Sequence, residues 1–304
     1  MSIVVLGAVF VDVKGYPTGN YIPGGRNAGE VKYVHGGVSR NIAEDLGNLG
    51  LNPVFLSLVD ETGVGADVLT KLREHRVNVD YVRRVPDGMG TWLAVFDDHH
   101  DVVAAISRRP DLSPILEILR DSGEEIFAGA DSVLLELDMD QEIVEEVFRL
   151  SEKYGKPVYA AVSNISIAMN RREYVQRVSC FVCNRQEAET FFSDAFDSDT
   201  PELLARQLAG QLCAAHIPAM VVTLGATGAV WADRNGRHGF CPAFQISVAD
   251  TTGAGDAFFA GVAAGLTYGK RMEEACDIGT RLAASVICTQ DNACPLFRPE
   301  EFQL

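Results

Sequence analysis

The residues with the most chemistry in their spacing are Asp250-Thr251-Thr252-Gly253-Ala254-Gly255-Asp256, which run straight into the apolar stretch Ala257–Gly261. Glycines allow a ligand to approach the backbone closely and allow positive φ. The first N–H groups of a helix have no partner within it, so a glycine-rich turn feeding a helix, here starting near Ala257, is an anion site. A carboxylate at that end, Asp256, either caps the helix or orients and deprotonates a hydroxyl attacking a phosphoryl group. For Asp256 alone the cap is the better account; for the whole string, with Thr251 and Thr252, a phosphate site is. It is not a Walker A loop, because the G-K-[ST] ending is absent.

A second group is Gly36-Gly37-Val38-Ser39-Arg40-Asn41. Paired glycines again enter a helix, with Ser39 as its candidate N-cap and Arg40 and Asn41 in its first turn. Glycine amides and an Asn amide suit a polyhydroxylated ligand; a plain strand–helix turn accounts for them equally well. Asn184 and Glu187, three apart, could hold a hydrated Mg²⁺, or form a capping box with Asn at the N-cap and Glu at N3. Thr223, Gly225 and Gly228 leave a strand end and suit a nucleotide contact or a simple turn. Asp12 and Asp138 each follow a strand, where a carboxylate either binds hydroxyls or is a solvated turn residue.

These groups need a frame. Ile3–Val9, Val54–Val59, Ser132–Leu137, Val158–Val162, Ser179–Cys183 and Ala219–Leu224 are continuous apolar runs, as buried parallel strands require. Between them lie helical patterns: Ile42, Leu46 and Leu49; Val68, Leu69 and Leu72; Ile143, Val144, Val147 and Leu150; and Leu203, Leu204, Leu208 and Leu212 after Pro201. The alternation predicts an α/β fold, a mainly parallel sheet with helices on both faces. Each chemical group follows a strand, the end of such a sheet where ligands bind. Two segments lack helices. One holds the strand-like Glu30–Val34; the other reads as a hairpin, Thr91–Phe96 and Val102–Ile106 around Asp97-Asp98-His99-His100-Asp101. The expected division is a core of 1–11, 36–90 and 107–304 and a small separate sheet from 12–35 and 91–106. Asn235-Gly236 predicts a further hairpin near Val230–Cys241.

Composition narrows the function. The 304 residues carry 26 basic and 42 acidic side chains, a net charge of −16. So acidic a chain is a poor partner for nucleic acid or anionic membranes, and phosphates must be met by local amides and a metal ion. No run reaches the ~18 apolar residues of a membrane helix, and the opening Met1–Gly7 reads as a strand, not a leader peptide. Seven irregularly spaced cysteines suit reduced thiols in the cytoplasm. Cys180 and Cys183 have C-x-x-C spacing but lie in an apolar run, where buried packing is the better account.

The pairing of Gly36-Gly37…Asn41 with Asp250-Thr-Thr-Gly-Ala-Gly-Asp256 resembles the ribokinase-like (PfkB) family of carbohydrate and nucleoside kinases, from Val4 to about Cys294. The resemblance implies a three-layer α/β/α sandwich with a β-lid formed by the two helix-free segments, often a dimer contact. It implies ATP- and Mg²⁺-dependent phosphoryl transfer to a primary hydroxyl of a small-molecule sugar or nucleoside. It implies Asp256 as catalytic base, the amides of Gly253, Ala254 and Gly255 as anion hole, and Asp12, Gly36, Gly37 and Asn41 as acceptor contacts, with Arg40 and Asp138 as further candidates. Asn184 and Glu187 would organise Mg²⁺ and phosphates, with Glu187 acting through water, and Thr223, Gly225 and Gly228 would lie beside ATP. Members often hold a monovalent cation partly through Asp250 and Thr252, which extends the implication to K⁺. Gly-Gly-Val-Ser-Arg-Asn-Ile-Ala is most similar to the pseudouridine kinases, making pseudouridine the expected acceptor. The chain departs from that pattern at Phe10, at Arg26-Asn27-Ala28-Gly29 and at Ala160-Ala161-Val162-Ser163, all near the acceptor's expected place, so another nucleoside or a sugar such as ribose or fructose stays open, as does a nucleoside-binding sensor without turnover.

Overall fold

A computed structural model describes residues 2–99, 101–196 and 200–304; His100 of the expected hairpin tip lies outside them. Thirteen strands alternate with ten helices. The strands are β1 (Ile3–Leu6), β2 (Phe10–Pro17), β3 (Gly29–Gly36), β4 (Val54–Val59), β5 (Val82–Arg84), β6 (Gly90–Phe96), β7 (Val102–Arg108), β8 (Ser132–Glu136), β9 (Val158–Ala161), β10 (Cys180–Asn184), β11 (Ala219–Thr223), β12 (Gly228–Asp233) and β13 (His238–Pro242). The helices are α1 (Val38–Asn48), α2 (Gly63–Glu74), α3 (Ser113–Gly129), α4 (Gln141–Tyr154), α5 (Ile165–Met169), α6 (Arg172–Val175), α7 (Arg185–Phe192), α8 (Pro201–Ala215), α9 (Ala254–Thr267) and α10 (Met272–Ile287).

Nine strands form one sheet in the order β13-β12-β11-β10-β9-β8-β1-β4-β5, all running one way except β12, which pairs antiparallel with β11 and with β13. Alternate residues of the same strand feed two cores. Val4, Leu6, Val133 and Leu135 pack with Ile118 and Phe127 of α3, Phe148 of α4 and Leu208 of α8. Ile3, Val5 and Leu134 pack on the other face with Leu46 of α1, Leu72 of α2, Phe259 of α9 and Leu282 of α10. The result is the expected three-layer α/β/α sandwich. With both faces covered, inner strands gain nothing from alternation, and truncating a fully buried side chain such as Leu6 to Ala should cost ~2–5 kcal/mol. Cys180 and Cys183 fall on opposite faces, one in each core. Pointing to opposite faces, the two thiols do not meet on one metal ion or in a disulfide, and burial pushes Cys180 up to about 12 and Cys183 well above its usual range.

The remaining four strands form a separate small sheet, β3-β2-β6-β7, in which β2 pairs β3 antiparallel and β6 parallel. Asp12, Lys14 and Tyr16 point to one face of β2, and Asp12 and Lys14 are buried.

Several expectations shift. β1 ends at Leu6, short of Val9. Helix α1 starts at Val38 with Gly37 at its N-cap, φ 99°, and Ser39 is inside the helix, its hydroxyl donating to Leu6 O at 3.2 Å. Helix α9 starts at Ala254, three residues before the expected Ala257, so Asp256 lies within its first turn. In α8, Leu204, Leu208 and Leu212 are buried while Leu203 is exposed, because i and i+1 diverge by about 100° on a helix. The hairpin after Val230 forms with a four-residue connection, Gly236 adopting φ 86°. Among the described residues no helix is long and apolar enough to cross a membrane.

Candidate active site

The large sheet changes winding direction at β1, which has β4 on one side and β8 on the other. The crevice at such a switch, beyond the carboxyl ends of the strands, is where ligands bind in open α/β sheets. Two helix starts converge there. Helix α1 brings Asn41 in its first turn, and α9 brings Asp256. The Asn41 Nδ2 donates to Asp256 Oδ2 at 2.6 Å across 215 residues of chain. Burial pushes the Asp256 carboxyl up to about 6, against the Asn41 hydrogen bond and the Arg40 charge, which pull it down, while nearby Asp12 pushes it further up. A carboxyl with that value is ionised at neutral pH, yet far more basic than an exposed aspartate.

The loop before α9 turns on a glycine and leaves helix-start amides without backbone partners. Gly253 takes φ 80° at the N-cap. The Ala254 N–H turns back to Thr251 O at 3.3 Å, so of the three expected amides only those of Gly253 and Gly255 are left to point outward, joined by that of Asp256. Thr252 N and Oγ1 both donate to Asp250 Oδ1 at 2.8 Å, which stiffens the approach. Burial works to raise Asp250, but the bonds from Thr252 and the nearby Lys14 ammonium outweigh it and hold the carboxyl below its usual range.

On the acceptor side, Gly36 is required by space. A β-carbon there would lie 2.5 Å from Asp12 Oδ1, and one on Gly37 2.6 Å from Ala8 O. Asp12 therefore lies against the glycine pair, its carboxyl raised by burial and drawn back by Lys14 and Arg40. Two sequence candidates are used differently. Arg40 is buried, its guanidinium bonded to Glu44, Asn41 and His35 O. Asp138 accepts from Ser163 Oγ at 2.6 Å and lies 3.9 Å from Arg109 Nη1.

Asn184 and Glu187 form the capping box: Asn184 Oδ1 accepts from Glu187 N at 2.9 Å and Glu187 Oε2 from Asn184 N at 2.8 Å. Among the described residues no three His, Cys, Asp or Glu side chains group as a metal site. Beside the box lies a basin of about 740 Å³ of mixed lining, with Asn184, Arg185, Thr223 and Thr251 among its polar residues and Leu204 and Leu224 among its apolar ones. An adjoining apolar slot of about 310 Å³ shares Thr223, Gly225 and Thr251 and is walled by Phe244, Ile246, Val248, Phe258, Ala283 and Ile287, with Gly228 and Gly255 on its edge. The slot walls were missed in the sequence because residues 243–248 carry no secondary-structure signal. Lys14, Glu44 and Glu136 were missed as well. Glu136 accepts from Ser39 N at 3.0 Å, and burial with the Asp138 charge beside it pushes its carboxyl up to about 8.

The match to known proteins agrees with this geometry. The model of the pfkB family of carbohydrate kinases matches residues 1–296. The chain belongs to that family. As a pfkB kinase it is a phosphotransferase with an alcohol acceptor, acting on sugars or nucleosides. It is 36% identical over 296 residues to a guanosine-inosine kinase of Exiguobacterium acetylicum, covering 96% of both chains. It is 27% identical over 263 residues to a pseudouridine kinase of Escherichia coli K12, covering 86% of this chain and 82% of that one. The fold superposes on Arabidopsis thaliana ribokinase complexed with ribose and ATP, with a TM-score of 0.82 at 20% identity over 99% of this chain and 97% of that one.

Proposed function

We propose that this pfkB kinase transfers the γ-phosphoryl group of ATP to the primary 5′-hydroxyl of a nucleoside. The observation that carries the reading is the Asn41–Asp256 contact at 2.6 Å, which fixes a carboxylate of about 6 beside unpaired helix-start amides. Asp12, Gly36, Gly37 and Asn41 hold the acceptor, with its hydroxyl against Asp256. As the acceptor oxygen bonds to the γ-phosphorus, its proton passes to Asp256 and the bond to the β–γ bridging oxygen breaks, releasing ADP. The Gly253 and Gly255 amides stabilise the charge developing on the transferring group.

The apolar slot, which has Gly255 in its lining, fits a nucleotide base, and the adjoining basin with Asn184, Arg185 and Thr223 fits phosphates. Mg²⁺, when bound, neutralises charge on the phosphate oxygens. The absence of a protein-built metal cluster among the described residues fits an ion that keeps its waters, reached from Glu187 through one of them. Asp250 and Thr252 are the side chains of the monovalent-cation reading, with the Lys14 charge competing for the same carboxylate.

Between acceptors, the higher identity and fuller coverage of the guanosine-inosine kinase favour a 6-oxopurine nucleoside over pseudouridine. The Arg40-Asn41 pair supports pseudouridine as the second reading; Ala160 and Ala161, buried in β9, and Phe10, packed over Gly90, speak against it. We further propose that residues 12–35 and 91–106 act as a lid and join two copies in a homodimer. Seven unpaired cysteines fit a reducing compartment, the cytoplasm.

A coupled ADP-release assay with Mg·ATP, with and without K⁺, decides the acceptor. Inosine, guanosine, adenosine, pseudouridine, uridine, cytidine, ribose and fructose form the panel. Turnover on inosine and guanosine supports the first reading, and turnover confined to pseudouridine the second. Turnover confined to a free sugar overturns the nucleoside assignment.

A further inference from the structure

Arg40 lies at the surface neither of the protein nor of the acceptor crevice: it is 1% exposed. Its two terminal nitrogens are engaged inside the fold. Nη1 bonds Glu44, four residues on along α1, and Nη2 bonds both Asn41 Oδ1 and the His35 carbonyl, the latter at 2.8 Å. Nε is buried with no partner among the described residues. Glu44 is held in turn by Lys71 Nζ at 3.1 Å and His75 Nε2 at 3.7 Å. The guanidinium cannot rotate toward a ligand without breaking a buried ion pair.

This arrangement decides the orientation of the Asn41 amide. The two ends of an amide differ only in donor against acceptor character, and they are told apart by their neighbours. Here Oδ1 faces a guanidinium, which only donates, and Nδ2 faces the Asp256 carboxylate. A flipped amide would set oxygen against carboxylate and N–H against guanidinium, two repulsive contacts in place of two charge-assisted bonds.

We propose that Arg40 is a positioning residue for phosphoryl transfer: it holds the Asn41 amide in the one orientation that donates to Asp256, and it does not touch the acceptor. The inference rests on the reading of Asp256 as general base. Its second consequence is electrostatic. The titratable groups facing Asp256 are Arg40 and Asp45 from α1, Asp12 from β2 and Glu136 from β8. Arg40 is the single cation among these, and its charge joins the Asn41 hydrogen bond in drawing the Asp256 carboxyl down against burial and Asp12.

The test has a substrate-free arm and a kinetic arm. Carboxyl ¹³C NMR, with the Asp256 signal assigned by its loss in Asp256→Asn, follows the titration in wild type, Arg40→Gln, Arg40→Lys and Glu44→Gln. Removing the charge in Arg40→Gln should move the Asp256 midpoint up by about 0.5–1 unit, and Arg40→Lys should restore most of it. Glu44→Gln, which keeps the shape and leaves the guanidinium uncompensated, should move it down and serves where Arg40→Gln fails to fold. In the kinetic arm, with inosine and ATP, Arg40→Gln should lower kcat by ~10-fold or more with acceptor KM within about twofold.

A midpoint unmoved in folded Arg40→Gln and Glu44→Gln overturns the inference, as does a rise in KM at unchanged kcat, which would make Arg40 an acceptor ligand. Failure of the base reading looks different. The low-pH limb of kcat/KM would then persist in the residual activity of Asp256→Asn, while the NMR midpoints still report whether Arg40 controls the carboxyl.

Discussion

The carbonyl oxygen of Asn292 occupies the place a β-carbon on Gly253 would need: the two would lie 2.2 Å apart. Backbone rather than a movable side chain makes that contact, and Gly253 also takes φ 80°. Gly253→Ala therefore meets both strain and a clash, and should lose about 2 kcal/mol or more in urea unfolding. Gly255, with nothing within 4 Å of its would-be β-carbon, is the control. Gly255→Ala should keep or slightly raise stability, yet lower kcat, because the added methyl would crowd the phosphoryl site proposed beside this amide. Equal stability losses in the two variants would remove the packing argument.

Asp256→Asn should lower kcat by at least ~10²-fold, the low end for a general base. The shift in melting temperature on adding Mg·ATP should survive, since the nucleotide slot is untouched. In the wild type, kcat/KM should fall as pH drops through about 6, the value to which burial raises this carboxyl. A flat profile from pH 5 to 8 would take the base role from Asp256.

Glu136 tests the same electrostatics through stability. Its folded carboxyl is raised to about 8, from an ordinary 4.5, by burial and by Asp138. A carboxyl raised on folding contributes stability that is fully present below its unfolded value and is lost as pH rises through the folded one. The window is therefore pH 4.5 to about 8. Glu136→Gln, which cannot ionise, should flatten the fall in Tm across that window and melt at least about 2 °C above wild type at pH 8. A parallel pair of Tm profiles would show that Glu136 does not carry this charge.

The outer face of the small sheet lines up Val31 and Tyr33 of β3, Leu93 of β6 and Ile106 of β7 through the register Tyr33↔Val13↔Leu93↔Ile106. Tyr33 and Ile106 are 74% and 71% exposed. If two copies meet here, wild type should sediment as a dimer and Tyr33→Asp with Ile106→Asp as a monomer. A wild-type monomer at micromolar concentration would end the dimer proposal.

The frame was readable because buried parallel strands are continuous apolar runs: Val54–Val59 and the run ending in Cys183 stand out with no other information. The site was readable in part because one glycine at each helix start, Gly37 and Gly253, is required by a close backbone contact. The polar face of α1 was not. Arg40, Glu44, Asp45 and Asn48 have the spacing of a solvated helix face opposite Ile42, Leu46 and Leu49, yet all four are buried. Nothing local distinguishes the two situations. Arg40 and Glu44 satisfy each other within the helix, but Asp45 and Asn48 take partners from far along the chain: Cys294 N donates to Asp45 Oδ1 at 2.7 Å, and Asn48 Nδ2 to Cys294 O at 2.5 Å. The Ser39 cap was misread for a related reason, since its hydroxyl found Leu6 O across the sheet. The later start expected for α9 follows from composition, because Gly-Ala-Gly-Asp carries no helical periodicity before the apolar run begins.

The strap of Asn292–Cys294, fastened to α1 and pressed under Gly253, has a consequence for biosynthesis. A chain emerging from the ribosome could assemble most of the nine-stranded sheet while Asp45 and Asn48 still lacked their partners. The phosphate-facing turn would have no floor until the strap arrived. Catalytic competence would then switch on late and abruptly, leaving unfinished chains with a largely formed fold but no means of spending ATP.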